Sequence, residues 1–309
     1  MIIVPAISFI SLLQRGRVRV GVVMDMAGTM ITSETVIIKG ENMKISIVIP
    51  VYNEAQNIVD LIQEINGHLR DRQEYEILIV DDGSSDRTQE ILAARKQSFP
   101  EMRLLRHPGR YGQSAALVTG IRNAAYPLIV TMDGDGQNDP KDIDSLLKIH
   151  KQWEPRTINV MVAGYRRHRH DTRWRKWSSW IANTIRGLIL GDHTPDSACG
   201  LKVFSRELFD RLPTFDHMHR FLPALVLRAG GKVVMMEVNH RSRWRGQSHY
   251  GTLDRLAAGI VDLCGVFWLK RRSLDLRTVD VCSAGSEQNK TILSLCQPVG
   301  RYDKAGIFP

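Results

Sequence analysis

The sequence predicts an α/β protein built on a doubly wound, mainly parallel sheet, and three observations carry that reading. Residues 44–51 are a β-branched run ending beside Pro50, as a strand buried on both faces reads. Ile58, Leu61, Ile62 and Ile65 then recur at helical spacing, and residues 76–80 form a second apolar run that ends in Asp81 and Asp82. The alternation continues through a helix over 88–95, a strand over 102–106, a helix over 114–125 and a strand over 128–132. Sheets of this kind bind ligands beyond the carboxyl ends of their strands. Those ends carry Asn53 and Glu54, then Asp81, Asp82 and Asp86, then Asp133, Asp135 and Gln137, so one acidic crevice is expected.

The 309 residues are 43% apolar and 24% charged, ordinary for a globular chain with a sizeable core. A net charge of +9 favours partners that carry phosphate or an anionic surface. Cys199, Cys264, Cys282 and Cys296 are scattered, with neither CxxC spacing nor the density of a disulfide scaffold, which points to a reducing cytoplasm. No run reaches the roughly 18 to 20 apolar residues of a spanning helix. Residues 2–13 are apolar, but Arg15, Arg17 and Arg19 follow them, the wrong order for a secretory signal.

The compact domain is expected over 43–250. Residues 1–42 have no period and read as a poorly ordered extension whose removal should leave activity intact, with natural translation starting at Met43. Beyond residue 150 the chain turns basic, with 166–176 dense in Arg and His and Trp174, Trp177 and Trp180 interleaved. Residues 253–269 are apolar around Asp262 and are flanked by Arg255, Lys270, Arg271 and Arg272. Within 251–273 this pattern predicts an amphipathic helix lying in a membrane surface, and a core helix is the competing reading. Residues 274–309 read as a loose tail.

Asp133-Gly134-Asp135 follows a strand, and two carboxylates one residue apart can chelate a hard divalent cation such as Mg²⁺ or Mn²⁺. Such a cation stabilises charge on a departing diphosphate. A solvated acidic turn is the plain alternative. In the segment from Val80 through Asp81-Asp82-Gly83-Ser84-Ser85-Asp86, one aspartate can accept from a ribose or base while the other orders the turn, and Ser85 or Asp86 can cap the next helix.

Pro50-Val51-Tyr52-Asn53-Glu54, Asp81-Asp82-Gly83-Ser84-Ser85-Asp86 and Asp133-Gly134-Asp135-Gly136-Gln137, in that order, resemble the family 2 glycosyltransferases of the Rossmann-like GT-A fold. Over about 43–272 the chain looks most like the dolichyl- and polyprenyl-phosphate mannose and glucose synthases. That likeness also rests on Gly164-Tyr165-Arg166, the stretch 196–202 and the stretch 243–250. The resemblance implies that Pro50, Tyr52, Glu54, Val80 and Asp82 contact the donor base and ribose. It implies that Asp133 and Asp135 hold the metal, with Gly134 and Gln137 beside them at the donor. It also implies that Arg166 and Arg243 meet phosphates, with Arg245 a nearby substitute; His249 stands where many relatives have Lys. Implied with these are a GDP- or UDP-hexose donor, a polyprenyl-phosphate acceptor, an inverting displacement and peripheral attachment to the membrane. A phosphate acceptor, ionised with a second pKa of about 6, needs no strong general base. Asp196 reads equally as a base or a structural carboxylate, and Cys199 as a small packed residue.

Three rival readings remain. A same-fold transferase with a sugar, protein or soluble acceptor would share every donor motif but would not need the basic, Trp-rich stretch or the apolar segment. A nucleic-acid module could be built on 166–180, yet no binding motif accompanies it and acidic strand ends repel a phosphate backbone, so nucleic acid is not an expected partner. A catalytically silent scaffold would not need the intact acidic triplets.

Overall fold

The computed structural model describes residues 43–71, 74–154, 159–166, 186–192, 194–241 and 252–272, without the side chains of 252–258. The expectations for 1–42 and 274–309 lie outside the described residues. The first half of the chain is β1 (Lys44–Val51), α1 (Ile58–Leu69), β2 (Glu74–Asp81), α2 (Thr88–Arg95), β3 (Met102–Arg106), α3 (Gln113–Arg122), β4 (Leu128–Thr131) and α4 (Asp142–Trp153). The second half adds β5 (Val160–Tyr165), β6 (Lys202–Ser205), α5 (Arg206–Asp210), a 3₁₀ turn (Met218–Arg220), α6 (Leu222–Arg228), β7 (Lys232–Glu237) and α7 (Thr252–Arg271).

The seven strands form one sheet in the order β3-β2-β1-β4-β6-β5-β7. β1 lies parallel to β2 and β4, β2 to β3, and β5 to β7; β6 runs antiparallel to both its neighbours. The mainly parallel sheet is therefore as expected, with one reversed strand. Side chains alternate across it as the strand period of two requires. Ile45, Ile47 and Ile49 of β1 face the cluster that includes Ile58, Leu61, Ile62 and Ile65 of α1 and Leu146 and Leu147 of α4. Val48 faces the opposite cluster, with Leu117 and Ile121 of α3 and Leu225 of α6.

Helix α3 sits unusually close to the sheet. Its Gly120 leaves no room for a methyl group, since a Cβ there would lie 2.4 Å from Val48 Cγ1 and 3.1 Å from Val80 Cγ2. Both valines are fully buried at the sheet centre. Gly120→Ala is expected to destabilise the protein by about 1–3 kcal/mol through overpacking, because alanine's helical advantage of about 1 kcal/mol offsets only part of the strain. Thermal unfolding checks this, and a variant that melts at or above wild type refutes the close packing.

Helix α7 is two-faced. Val266 is buried, while Leu263, Phe267 and Leu269 pack against the second cluster. Ile260, Val261 and Trp268 stand 56%, 71% and 60% exposed, an apolar surface that packing alone does not account for. The helix is tied down by Arg228 Nε donating to the Leu269 carbonyl at 2.9 Å and by His217 Nδ1 at 2.9 Å from Asp262 Oδ2. No described helix is long and apolar enough to cross a membrane.

Candidate active site

The carboxyl ends of β1, β2 and β4 meet as the sheet order requires. The loops after β1 and β2 are stitched together by Asn53, whose φ of +55° turns its side chain back across the gap. Asn53 Oδ1 accepts from the Ser85 N–H at 2.8 Å, and the Asn53 N–H donates to Ser84 Oγ at 2.9 Å. Asp86 Oδ1 accepts the Thr88 N–H at 2.9 Å from one residue before the N-cap, which falls on Arg87 rather than on Ser85 or Asp86 as expected. Glu54 is buried, takes the Asn57 side-chain N–H at 2.7 Å and donates its own N–H to Thr88 Oγ1 at 3.0 Å. The side chain of Val80 is fully buried under α3, so any part it plays in the crevice comes through the strand backbone.

Asp82 organises the far wall. Its Oδ1 accepts the Tyr111 N–H at 2.9 Å and meets His107 Nδ1 at 2.8 Å, and its Oδ2 accepts the Gly112 N–H at 2.7 Å. The loop that leads into α3 is thereby held against β2. Gly83 permits this approach, because a Cβ there would fall 2.6 Å from the Gly109 carbonyl carbon and its φ is +71°. On the same loop the Arg110 guanidinium lies 4.3 Å over the Tyr52 ring, a cation–π contact at the mouth of the crevice.

The carboxylate pair lies just past β4. Asp133 Oδ1 accepts from Gln113 Nε2 at 2.9 Å, and the Asp133 N–H donates to Asn138 Oδ1 at 3.2 Å. Asp135 Oδ1 accepts the Gln137 N–H at 3.1 Å. Gly200 lies so close to Asp133 that a Cβ would fall 2.3 Å from the carboxylate carbon, so glycine there makes room for the acid. Gly134 is equally confined, with a Cβ position 2.8 Å from Val51 Cγ1. Burial, and then the neighbouring charge of Asp135, push the Asp133 carboxyl up to about 6, with Lys202 and Arg166 pulling the other way. A buried carboxylate beside a second one is a place that fits a hard divalent cation. Among the described residues no three His, Cys, Asp and Glu side chains surround a metal position by themselves.

Behind this pair stands a buried ionic layer. Arg166 Nε and Nη2 clasp Asp196 at 2.6 and 3.0 Å. Burial alone would lower the Arg166 guanidinium, but the hydrogen bond and charge of Asp196 lift it above its ordinary value. Lys202, which is buried in β6, donates to the Cys199 carbonyl, and burial draws its ammonium down. The Cys199 thiol is fully buried and pushed up by burial, as a packing residue rather than a nucleophile. Nothing local in residues 196–202 signals that Gly200 and Lys202 stand beside Asp133. Arg243, Arg245 and His249 lie outside the described residues. Arg241, which the sequence reading passed over, donates its N–H to the Gln137 carbonyl at 3.0 Å and bridges Asp139 at 2.8 Å and Glu64 at 2.6 Å.

His219 closes the layer beneath α3, with Nδ1 2.8 Å from Ser114 Oγ. Burial, followed by the charges of Arg220 and Lys202, lowers its pKa from 6.5 to about 3. The unfolded chain then binds the proton that the folded one refuses, so stability is full above pH 6.5 and falls as pH drops toward about 3. Denaturant unfolding across that window is expected to show a shallower loss in His219→Asn than in wild type; parallel slopes would rule out an imidazole held neutral in the fold.

The sequence profile of glycosyl transferase family 2 matches residues 46–212, more than half of the chain. The dodecaprenyl-phosphate galacturonate synthase of Rhizobium johnstonii is 35% identical over 238 residues, which are 75% of this chain and 68% of that protein. An undecaprenyl-phosphate 4-deoxy-4-formamido-L-arabinose transferase of Pseudomonas savastanoi is 32% identical over 224 residues, 71% of this chain and 64% of that one, so the chain spans less than two thirds of that relative. Among solved structures, mannosyl-3-phosphoglycerate synthase from Rubrobacter xylanophilus superposes with a TM-score of 0.57 at 18% identity, covering 77% of this chain and 78% of the other. Glucosyl-3-phosphoglycerate synthase from Mycobacterium tuberculosis in complex with Mn²⁺ and UDP-glucose does so at 0.54 and 19%, covering 76% and 81%. At such identities these structures establish the fold, which is GT-A. With the family profile over most of the sheet and a relative at 35% identity, the chain belongs to glycosyl transferase family 2.

Proposed function

We propose that the protein transfers a glycosyl group from a nucleotide sugar to a polyprenyl phosphate at a membrane surface, assisted by Mg²⁺ or Mn²⁺ and with inversion at the anomeric carbon. The observation that carries the donor half is the crowded Asp133–Asp135 pair, set at the end of β4 beside the crevice walled by Tyr52, Asp82 and Arg110. The cation would supply charge neutralisation for the leaving diphosphate, and Asp133, Asp135 and Gln137 would hold it. The protein's own share is orientation and electrostatics: Tyr52 and the Asp82-held loop receive the nucleoside, and the basic residues receive phosphate. Asp196 already serves Arg166, which fits a reaction whose acceptor arrives ionised and needs no base.

The acceptor half draws on two relatives whose names specify polyprenyl phosphates, and on α7. Exposed Ile260, Val261 and Trp268 with exposed Arg271 and Arg272 at the helix end suit an interfacial position on an anionic bilayer. The sugar is open between the mannose or glucose that the motifs imply and the galacturonate and formamido-arabinose carried by the relatives. Sugar transfer from labelled UDP- and GDP-linked forms of these sugars into organic-extractable polyprenyl phosphate, with Mn²⁺ present, tests the whole reading. Donor hydrolysis without labelled lipid would retire the acceptor, and failure to bind anionic vesicles at low salt would retire the membrane position.

A further inference from the structure

Gln113, the first residue of α3, has no part in the motifs, yet its side chain reaches across the crevice and donates Nε2–H to Asp133 Oδ1 at 2.9 Å. Its position is set from both directions. Upstream, Asp82 grips the N–H groups of Tyr111 and Gly112, and Gly112 adopts a φ of +94° that few other residues tolerate. Downstream, Gly120 seats α3 directly on Val48 and Val80. The Gly200 backbone also closes on the Asp133 carboxylate, which leaves the acid little freedom to swing. A neutral amide suits this place: it orients a carboxylate by donating to one oxygen and brings no charge to compete with a cation, as a lysine would.

We propose that Gln113 is a positioning residue that fixes the Asp133 carboxylate for the divalent cation, and that loop 107–113 links the nucleotide side of the crevice, through Asp82, to the metal side. This rests on the metal reading of the site given above. Groups that orient a ligand without touching the metal typically contribute 10–100-fold in metal affinity. Gln113→Ala is therefore expected to weaken Mn²⁺ binding by about 10–100-fold, measured by the electron paramagnetic resonance of free Mn²⁺ during titration of the whole protein, with and without UDP. Gln113→Asn should behave like alanine, because its amide falls one methylene short. Gln113→Glu should be worse, because it sets a third carboxylate against the pair. UDP affinity in EDTA and the melting temperature should stay at wild-type values in Gln113→Ala, and the enhancement of Mn²⁺ binding by UDP should shrink.

Wild-type Mn²⁺ affinity in a folded Gln113→Ala protein would overturn the assignment while leaving the metal site standing. An equal fall in metal-free UDP affinity would also overturn it, moving Gln113 into the nucleotide pocket. If alanine does not fold, Gln113→Met keeps the bulk and carries the same expectation. A wild-type protein that takes up no Mn²⁺ with or without UDP would remove both this inference and the metal reading.

Discussion

Asp135→Ala is expected to lower the rate of sugar transfer by about 10³-fold at saturating Mn²⁺, equivalent to about 4 kcal/mol of lost transition-state stabilisation. The magnitude decides between the two roles open to this carboxylate. Asp135 also orders its own turn by accepting the Gln137 N–H at 3.1 Å, and losing one such bond costs only about 1 kcal/mol. A turn defect would thus show as a small fall in melting temperature and a rate within about tenfold of wild type. Loss of a metal ligand would show the same small fall in the melt but would also remove most of the turnover. The comparison is sharpest with initial rates across a Mn²⁺ titration, because rescue at high Mn²⁺ would indicate weakened binding rather than a lost chemical role. A rate within tenfold of wild type throughout would assign Asp135 to the turn alone.

How much of this was legible in the sequence varied along the chain for physical reasons. β1, α2 and β3 end at the residues the pattern indicates, and for β1 the reason is that a strand buried on both faces reads as an unbroken β-branched run. α3 begins at Gln113, one residue before the apolar period does, because Gly112 in its left-handed conformation is what turns the chain. β6 was invisible: it has four residues, it opens with a buried lysine, and it runs antiparallel within an otherwise parallel pattern. The acidic strand ends were legible because topology alone brings them together. The contacts that tune them were not. Gln113 lies 20 residues from Asp133 and Arg166 lies 30 from Asp196, and nothing local in either segment signals the partner. The helix over 253–269 packs one side on the core, as the core reading expects, and presents Ile260, Val261 and Trp268 outward on the other.

Asp196→Ala is expected to destabilise the fold by about 3–5 kcal/mol, the usual consequence of stripping one partner from a buried ion pair. Only 14% of the Arg166 side chain and 5% of that of Asp196 reach solvent, and Arg166 would be left behind without its clasp. A second cation adds to the cost. Arg186 is buried, its Nε and Nη1 find no hydrogen-bond partner among the described residues, and Asp192 and then Asp196 offset the downward pull of burial on it. A loss of that size corresponds to a melting temperature lower by on the order of 10 °C. Asp196→Asn separates stability from chemistry, because its amide oxygen still accepts from Arg166 while it can no longer act as a base. The asparagine variant should recover much of the lost stability, and its activity should recover in step. If it is as stable as wild type yet loses transfer by 10³-fold or more, Asp196 takes the proton of the acceptor. In that event the acceptor is a hydroxyl that must be deprotonated rather than a phosphate already ionised. The one substitution therefore tests the ion pair and, through its effect on transfer, the chemical class of the group that attacks.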